Sequence, residues 1–176
     1  NGLNQNTRSF DNNDPDNPND DSEVLNKDDS LGQLLEQLQN GKIVSLNWSQ
    51  GDLTGLIYPN GRKLAYARDK LGRLASIGEP DMKPIATNDY IGNRLLERIY
   101  QNGVKLTMLN DAGDKADGYD KLGRLAKMRH LGKADELIAG YAYNYNEVGF
   151  KTSKENLSLP HLSELYKLDS IYRITD

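Results

Sequence analysis

Four aspartates recur in matching company along this chain: Asp29, Asp69, Asp120 and Asp169, spaced 40, 51 and 49 residues apart. Repeated carboxylates invite an acid–base reading, because an Asp held beside a reacting group can take or give a proton. Each of the four, however, heads one pattern, Asp-x-hydrophobic-x-(Arg/Gln)-hydrophobic. It runs DSLGQLL from Asp29, DKLGRLA from Asp69 and again from Asp120, and DSIYRIT from Asp169. Two diluted copies, NDAGDKA from Asn110 and NEVGFKT from Asn146, keep the Asn/Asp-x-x-Gly core. Recurrence in every copy points to architecture, with each Asp placed where a turn wants an acceptor.

A second cluster could bind a metal. DNNDPDNPNDD at 11–21 alternates oxygen ligands, with Asp11, Asp14, Asp16 and Asp20 suited to Ca²⁺. An EF-hand loop requires Gly at its sixth position and Glu at its twelfth, and this stretch has neither arrangement. A solvated acidic linker is the competing reading. His130 and His161 lie in inserts between the repeats, without ligating neighbours at useful spacing. Serines occur without a nucleophile elbow, and no glycine loop could cradle phosphate. The chain has no Cys, which excludes a disulfide framework, a zinc–thiolate site and a thiol nucleophile. These residues lead us to expect no enzyme and no cofactor beyond that Ca²⁺.

The elements that would position these residues are turns and strands. Asp at the first position accepts backbone N–H groups, and Gly32, Gly72 and Gly123 at the fourth tolerate the positive φ of a chain reversal. The residues after each turn leave as a strand. Arg73 and Arg124 are expected to bond carboxylates or carbonyls of adjacent hairpins. Asn-Gly at 40–41, 60–61 and 102–103 adds the strongest short-range hairpin signal. After Gly41, Val44, Leu46 and Trp48 fall on one face. Leu64 and Tyr66 alternate with lysine and alanine after Gly61, and Val104, Leu106 and Met108 alternate after Gly103.

Residues 31–40, LGQLLEQLQN, carry two signals. Ser30 could cap a helix with Gln33 completing a capping box, and Leu31, Leu34, Leu35 and Leu38 would share its face. Register with the DKLGRLA copies favours a hairpin instead. Three stretches read as inserts: GEPDMKPIATND at 78–89, HLGKADELIAG at 130–140 with a candidate helical turn, and LSLPHLSEL at 157–165.

Only 36% of the 176 residues are hydrophobic, and ten Tyr stand against two Phe and one Trp. Such strands suit half-buried sheets whose hydroxyls reach water or a partner. No apolar run could span a bilayer, and no basic stripe suggests nucleic acid. The net charge of −4 hides a split, since residues 1–30 carry eight acids against Arg8 and Lys27, leaving +2 for the rest. Residues 1–28 therefore read as an acidic Asn/Asp/Pro-rich linker or arm, and 29–176 as the repeat array. Without an initiator Met, the sequence reads as a processed or excised piece.

GYDKLGRLA at 118–126, YPNGRKLAYARDKLGRLASI at 58–77, YIGNRLLERIYQNGVKLT at 90–107 and YAYNYNEVGFKTSKEN at 141–156 together resemble the YD-repeat, or Rhs-repeat, proteins. The signature Tyr-Asp pair stands literally at Tyr119-Asp120. It becomes Arg68-Asp69, Tyr145-Asn146 and Leu168-Asp169 elsewhere. The resemblance implies an all-β fold of repeated antiparallel hairpins, an arc of a hollow shell with short loop or helical inserts. It implies a secreted or cell-surface scaffold whose partners are neighbouring repeats of the parent chain and an enclosed toxin domain. The alternative is an adhesive module that binds glycan or protein through the exposed sheet, with Tyr141, Tyr143 and Tyr145 on one strand face.

Overall fold

A computed structural model describes residues 6–11, 16, 22–113 and 115–175. The fold is all-β and antiparallel, and the strand order follows chain order. Two compact units divide the chain, Asn1–Lys83 and Pro84–Asp176.

The described strands of the first unit are β1 (Arg8–Asp11), β2 (Ser22–Asp28), β3 (Leu34–Gln39), β4 (Lys42–Ser49), β5 (Asp52–Ile57), β6 (Lys63–Arg68) and β7 (Leu74–Gly78). Each pairs with its successor. Period-two patterning is the cause: Leu46, Leu56 and Leu64 stand opposite one another on one face, and Tyr66 opposite Ile77 continues that row. The other face carries Asn47, Gly55, Ala65 and Gly78 in register. Trp48 reaches across to donate its indole N–H to the Leu34 carbonyl at 2.8 Å.

Residues 34–39 are a strand, so register with the other repeats prevails over the capping signal at Ser30. Leu38 sits between Leu25 of β2 and Ile43 of β4, pairings that a helix could not make. Strands also occur upstream of Asp29, at 8–11 and 22–28, where the composition reads as linker. The physical reason is that a hairpin headed by Asp29 needs an incoming strand, and Ser22–Asp28 supplies it. Asp14 and Asp20 lie outside the described residues, and of Asp11 only the backbone is described. Among the described residues no group of three or more His, Asp and Glu side chains is placed to hold a metal.

The second unit contains β8 (Ala86–Ile91), β9 (Arg94–Tyr100), β10 (Lys105–Thr107), β11 (Lys127–Leu131), β12 (Leu137–Tyr145), β13 (Lys151–Asn156) and β14 (Glu164–Leu165), with a 3-10 turn at Pro160–Leu162. Consecutive strands again pair. The insert at 130–140 holds no helical turn. Gly132 and Asp135 close a turn between β11 and β12, with Asp135 at φ 64°, because a short polar side chain tolerates the left-handed region. His130 lies within β11 opposite Leu106 and Ala139, not in a loop.

Among the described residues no second layer packs on the strands of either unit. Among the described residues the buried apolar side chains are Ala86 and Met108, and no large side chain is fully buried. Backbone ladders, cross-strand pairs and turn contacts therefore carry the fold.

Candidate functional site: the latched hairpin edge

Each repeat aspartate closes its own turn. The backbone N–H groups of Leu71 and Arg73 donate to Asp69 Oδ1 at 2.8 and 3.0 Å, and Arg73 Nε donates to Asp69 Oδ2 at 2.6 Å. At Asp120 the same three donors come from Leu122 and Arg124, at 2.9, 2.8 and 2.6 Å. Asp169 repeats the set with Ile171 and Arg173. Asp29 takes only the two backbone donors, from Leu31 and Gln33, because its fifth position is Gln. Arg73 thus clasps the carboxylate of its own turn. Arg124 clasps Asp120 and also reaches the next hairpin, where its Nη1 donates to the Asn146 carbonyl at 3.4 Å.

Backbone bonds complete the latch. Asp120 N–H donates to the Arg124 carbonyl at 2.9 Å, and Gly123 N–H to the Asp120 carbonyl at 2.8 Å. Gly72 and Gly123 have φ of 78° and 75°, where a β-carbon is strained. At Gly123 that carbon would also collide with the Arg94 guanidinium, whereas at Gly72 it would meet open space. Tyr172 holds the corresponding place in the last turn at φ 64°, and its ring stacks on Phe150 with centroids 4.5 Å apart.

The seventh position has a role that composition does not announce. Ala126 and Lys127 both donate their N–H groups to the Gly118 carbonyl, which makes Ala126 the extra residue of a β-bulge. Register shifts place Leu35, Ala75 and Thr152 equivalently after the turns at Asp29, Asp69 and Asn146. Bulges sharpen local twist and bend the strand. Latch, left-handed corner, clasp and bulge thus account for the first, fourth, fifth and seventh positions of DKLGRLA.

The residue before the latch ties one hairpin to the previous one. Tyr119 donates its hydroxyl to the Leu95 carbonyl and Tyr145 to the Leu125 carbonyl, both at 2.7 Å. Burial raises both phenols above the usual tyrosine value, so they remain protonated donors. Arg68, which stands in for Tyr before Asp69, instead pairs back to Asp52 at 3.1 Å. In the second unit the ties run forward as well. Arg94 Nε donates to the Gly123 carbonyl at 2.8 Å, and Arg124 lies over the Tyr145 ring at 4.5 Å.

Partial burial pushes the carboxyls of Asp69 and Asp120 up. The backbone N–H of Arg73 or Arg124, its guanidinium and the N–H of Leu71 or Leu122 together outweigh that, and both groups sit below the ordinary aspartate value. Asp169 is lowered chiefly by the Arg173 N–H, then by its guanidinium. Both oxygens of each of these aspartates are thus engaged within its own turn.

The Asn-Gly turns are of two kinds. Asn40 and Gly41 both have positive φ, a two-residue I′ turn. At 60–61 and 102–103 only the glycine does, and Tyr58 and Tyr100 occupy the latch position through backbone bonds alone. Asn60 and Asn102 then accept the Arg62 and Val104 N–H groups. Gln50-Gly51 is a further I′ turn that its sequence does not advertise.

On β11, Arg129 donates to Asp111 Oδ1 at 2.5 Å and to the Leu109 and Asn110 carbonyls at 2.6 and 2.7 Å. Lys127 also bonds Asp111, whose carboxyl is lowered first by that lysine. This network anchors the turn at 110–113. His161 is exposed within the 3-10 turn. No described helix is long and apolar enough to cross a membrane.

No protein-family model and no curated protein sequence matches this chain. Solved structures do. The Tc holotoxin pore of Photorhabdus luminescens, with a point mutation in TccC3, superposes with a TM-score of 0.61 at 16% identity over 88% of this chain. The crystal structure of TcdB2-TccC3-TEV gives 0.60 at 17% identity, also over 88%. The fold is that of an Rhs-type, or YD-repeat, β-hairpin shell. This chain spans 8% of the length of each of those two chains.

Proposed function

We propose that this chain is a wall segment of a large secreted or cell-surface repeat protein, in which a β-hairpin shell encloses or presents another domain, a toxin among the candidates. Its role is structural, not catalytic. The observation that carries this reading is the directionality of the ties: the hairpin latched at Asp120 is fastened to the one before it and the one after it, through Tyr119, Arg94, Arg124 and Tyr145. Such a unit extends an array, and among the described residues no second layer packs on its strands as in a self-contained sandwich.

Electron microscopy of the full parent polypeptide tests the reading. We expect density for a closed shell with residues 29–176 in its wall and another domain inside or displayed on it. A parent in which this segment forms an appendage outside any shell overturns it.

The adhesive alternative relies on the tyrosines of β12. Lys154, Lys151 and Arg124 lie over the rings of Tyr141, Tyr143 and Tyr145. These cations occupy faces on which a sugar would stack, which favours the shell. Binding of one sugar class on a glycan array would reverse that preference.

A further inference from the structure

The third residue of each latched turn is aliphatic and exposed. Leu122 is 72% exposed, Val148 60% and Ile171 65%, all more open than the strand residues beside them. A turn needs no hydrophobe there, since the three bonds of the latch come from two backbone N–H groups and the side chain of the fifth position. Ile91, 46% exposed, flanks the turn between β8 and β9 on the same edge. The order along that edge of the second unit is Ile91, Leu122, Val148, Ile171, because Arg94 ties the first turn to the second, Arg124 the second to the third, and Phe150 stacks on Tyr172. Successive tips are about 10 Å apart, two strand spacings.

This row has a pseudo-symmetric make-up. Asp120 and Asp169 are neutralised by their own arginines. The exposed second turn positions in the middle of the row are Lys121 and Glu147, opposite in sign. A two-fold axis between the turns at 120–123 and 146–149 sets Leu122 against Val148, Ile91 against Ile171, and Lys121 against Glu147 of another molecule. A parallel arrangement would set like charges together.

We propose that this turn edge is a homotypic contact, through which a second copy of the chain docks antiparallel and edge to edge. The apolar area involved is on the order of a few hundred Å² per partner, enough to mark an interaction site and small for a permanent one. Association in the micromolar range is expected. The proposal concerns the chain by itself and does not rest on the shell reading.

Sedimentation velocity over a concentration series tests it. A dimer should form, and Leu122→Asp with Val148→Asp should weaken it at least tenfold while the circular dichroism spectrum stays that of the folded chain. Lys121→Glu alone should weaken the dimer, and Lys121→Glu combined with Glu147→Lys should restore it, because the swapped charges again oppose. A chain that remains monomeric overturns the proposal. So does association indifferent to these substitutions, the behaviour expected if open strand edges were responsible, and so does a charge swap that fails to rescue.

Discussion

Asp120 looks like candidate chemistry in isolation and like a fastener once its partners are seen. Its two oxygens accept from Leu122, the Arg124 backbone and the Arg124 guanidinium, and removing the carboxylate leaves those donors without a partner in the turn. Asp120→Ala should lower the melting temperature by about 5 °C, whereas Lys70→Ala, at the exposed position beside Asp69, should leave it unchanged. Equal melting temperatures for Asp120→Ala and the parent would sink the latch. The same bonds set a pH dependence. The folded-state values of Asp69, Asp120 and Asp169 lie below those of the unfolded chain. Their contribution is therefore complete above about pH 4 and is lost as pH falls through the depressed values. Urea titrations at stepwise lower pH should show an acid limb that Asp69→Asn, Asp120→Asn and Asp169→Asn together flatten.

At the scale of the element, turns of different composition do interchangeable work. Asp-x-x-Gly, Asn-x-x-Gly and Tyr-x-Asn-Gly all close a four-residue corner with a left-handed fourth residue, as Gly72, Gly149 and Gly61 show. The I′ turn at Gln50-Gly51 is the exception in cost, because Gln at φ 52° lacks the local tolerance of Asn. Gln50→Asn should stabilise the first unit by roughly 0.5 kcal/mol, read as a higher denaturant midpoint at constant slope. A lower midpoint would mean that Gln50 makes a contact worth more than the relief of its backbone.

For the molecule as a whole, the shortage of buried side chains has a thermodynamic signature. Heat capacity on unfolding follows newly exposed apolar area, and typical domains release about 12–15 cal/mol/K per residue. With Ala86 and Met108 as the buried hydrophobes among the described residues, this chain should fall below that range in scanning calorimetry. A value within the range would imply a packed core. Stability here resides in ladders and fasteners.

The duplicated DKLGRLA and its relatives settled the unit, its direction and its strand period from the sequence, because a latch, a left-handed corner and alternating hydrophobes are local properties. Other features needed the tertiary structure. Which carboxylate Arg73 clasps, that Ala75 and Ala126 are bulges, that 34–39 is a strand and that β2 precedes the first latch all depend on which strand lies alongside. Tyr119 is legible as half of the Tyr-Asp pair, but what it and Arg94 hold appears only when the neighbouring hairpin presents the Leu95 and Gly123 carbonyls to them. Local propensity decides where the chain turns, and only the register between hairpins decides what each turn holds.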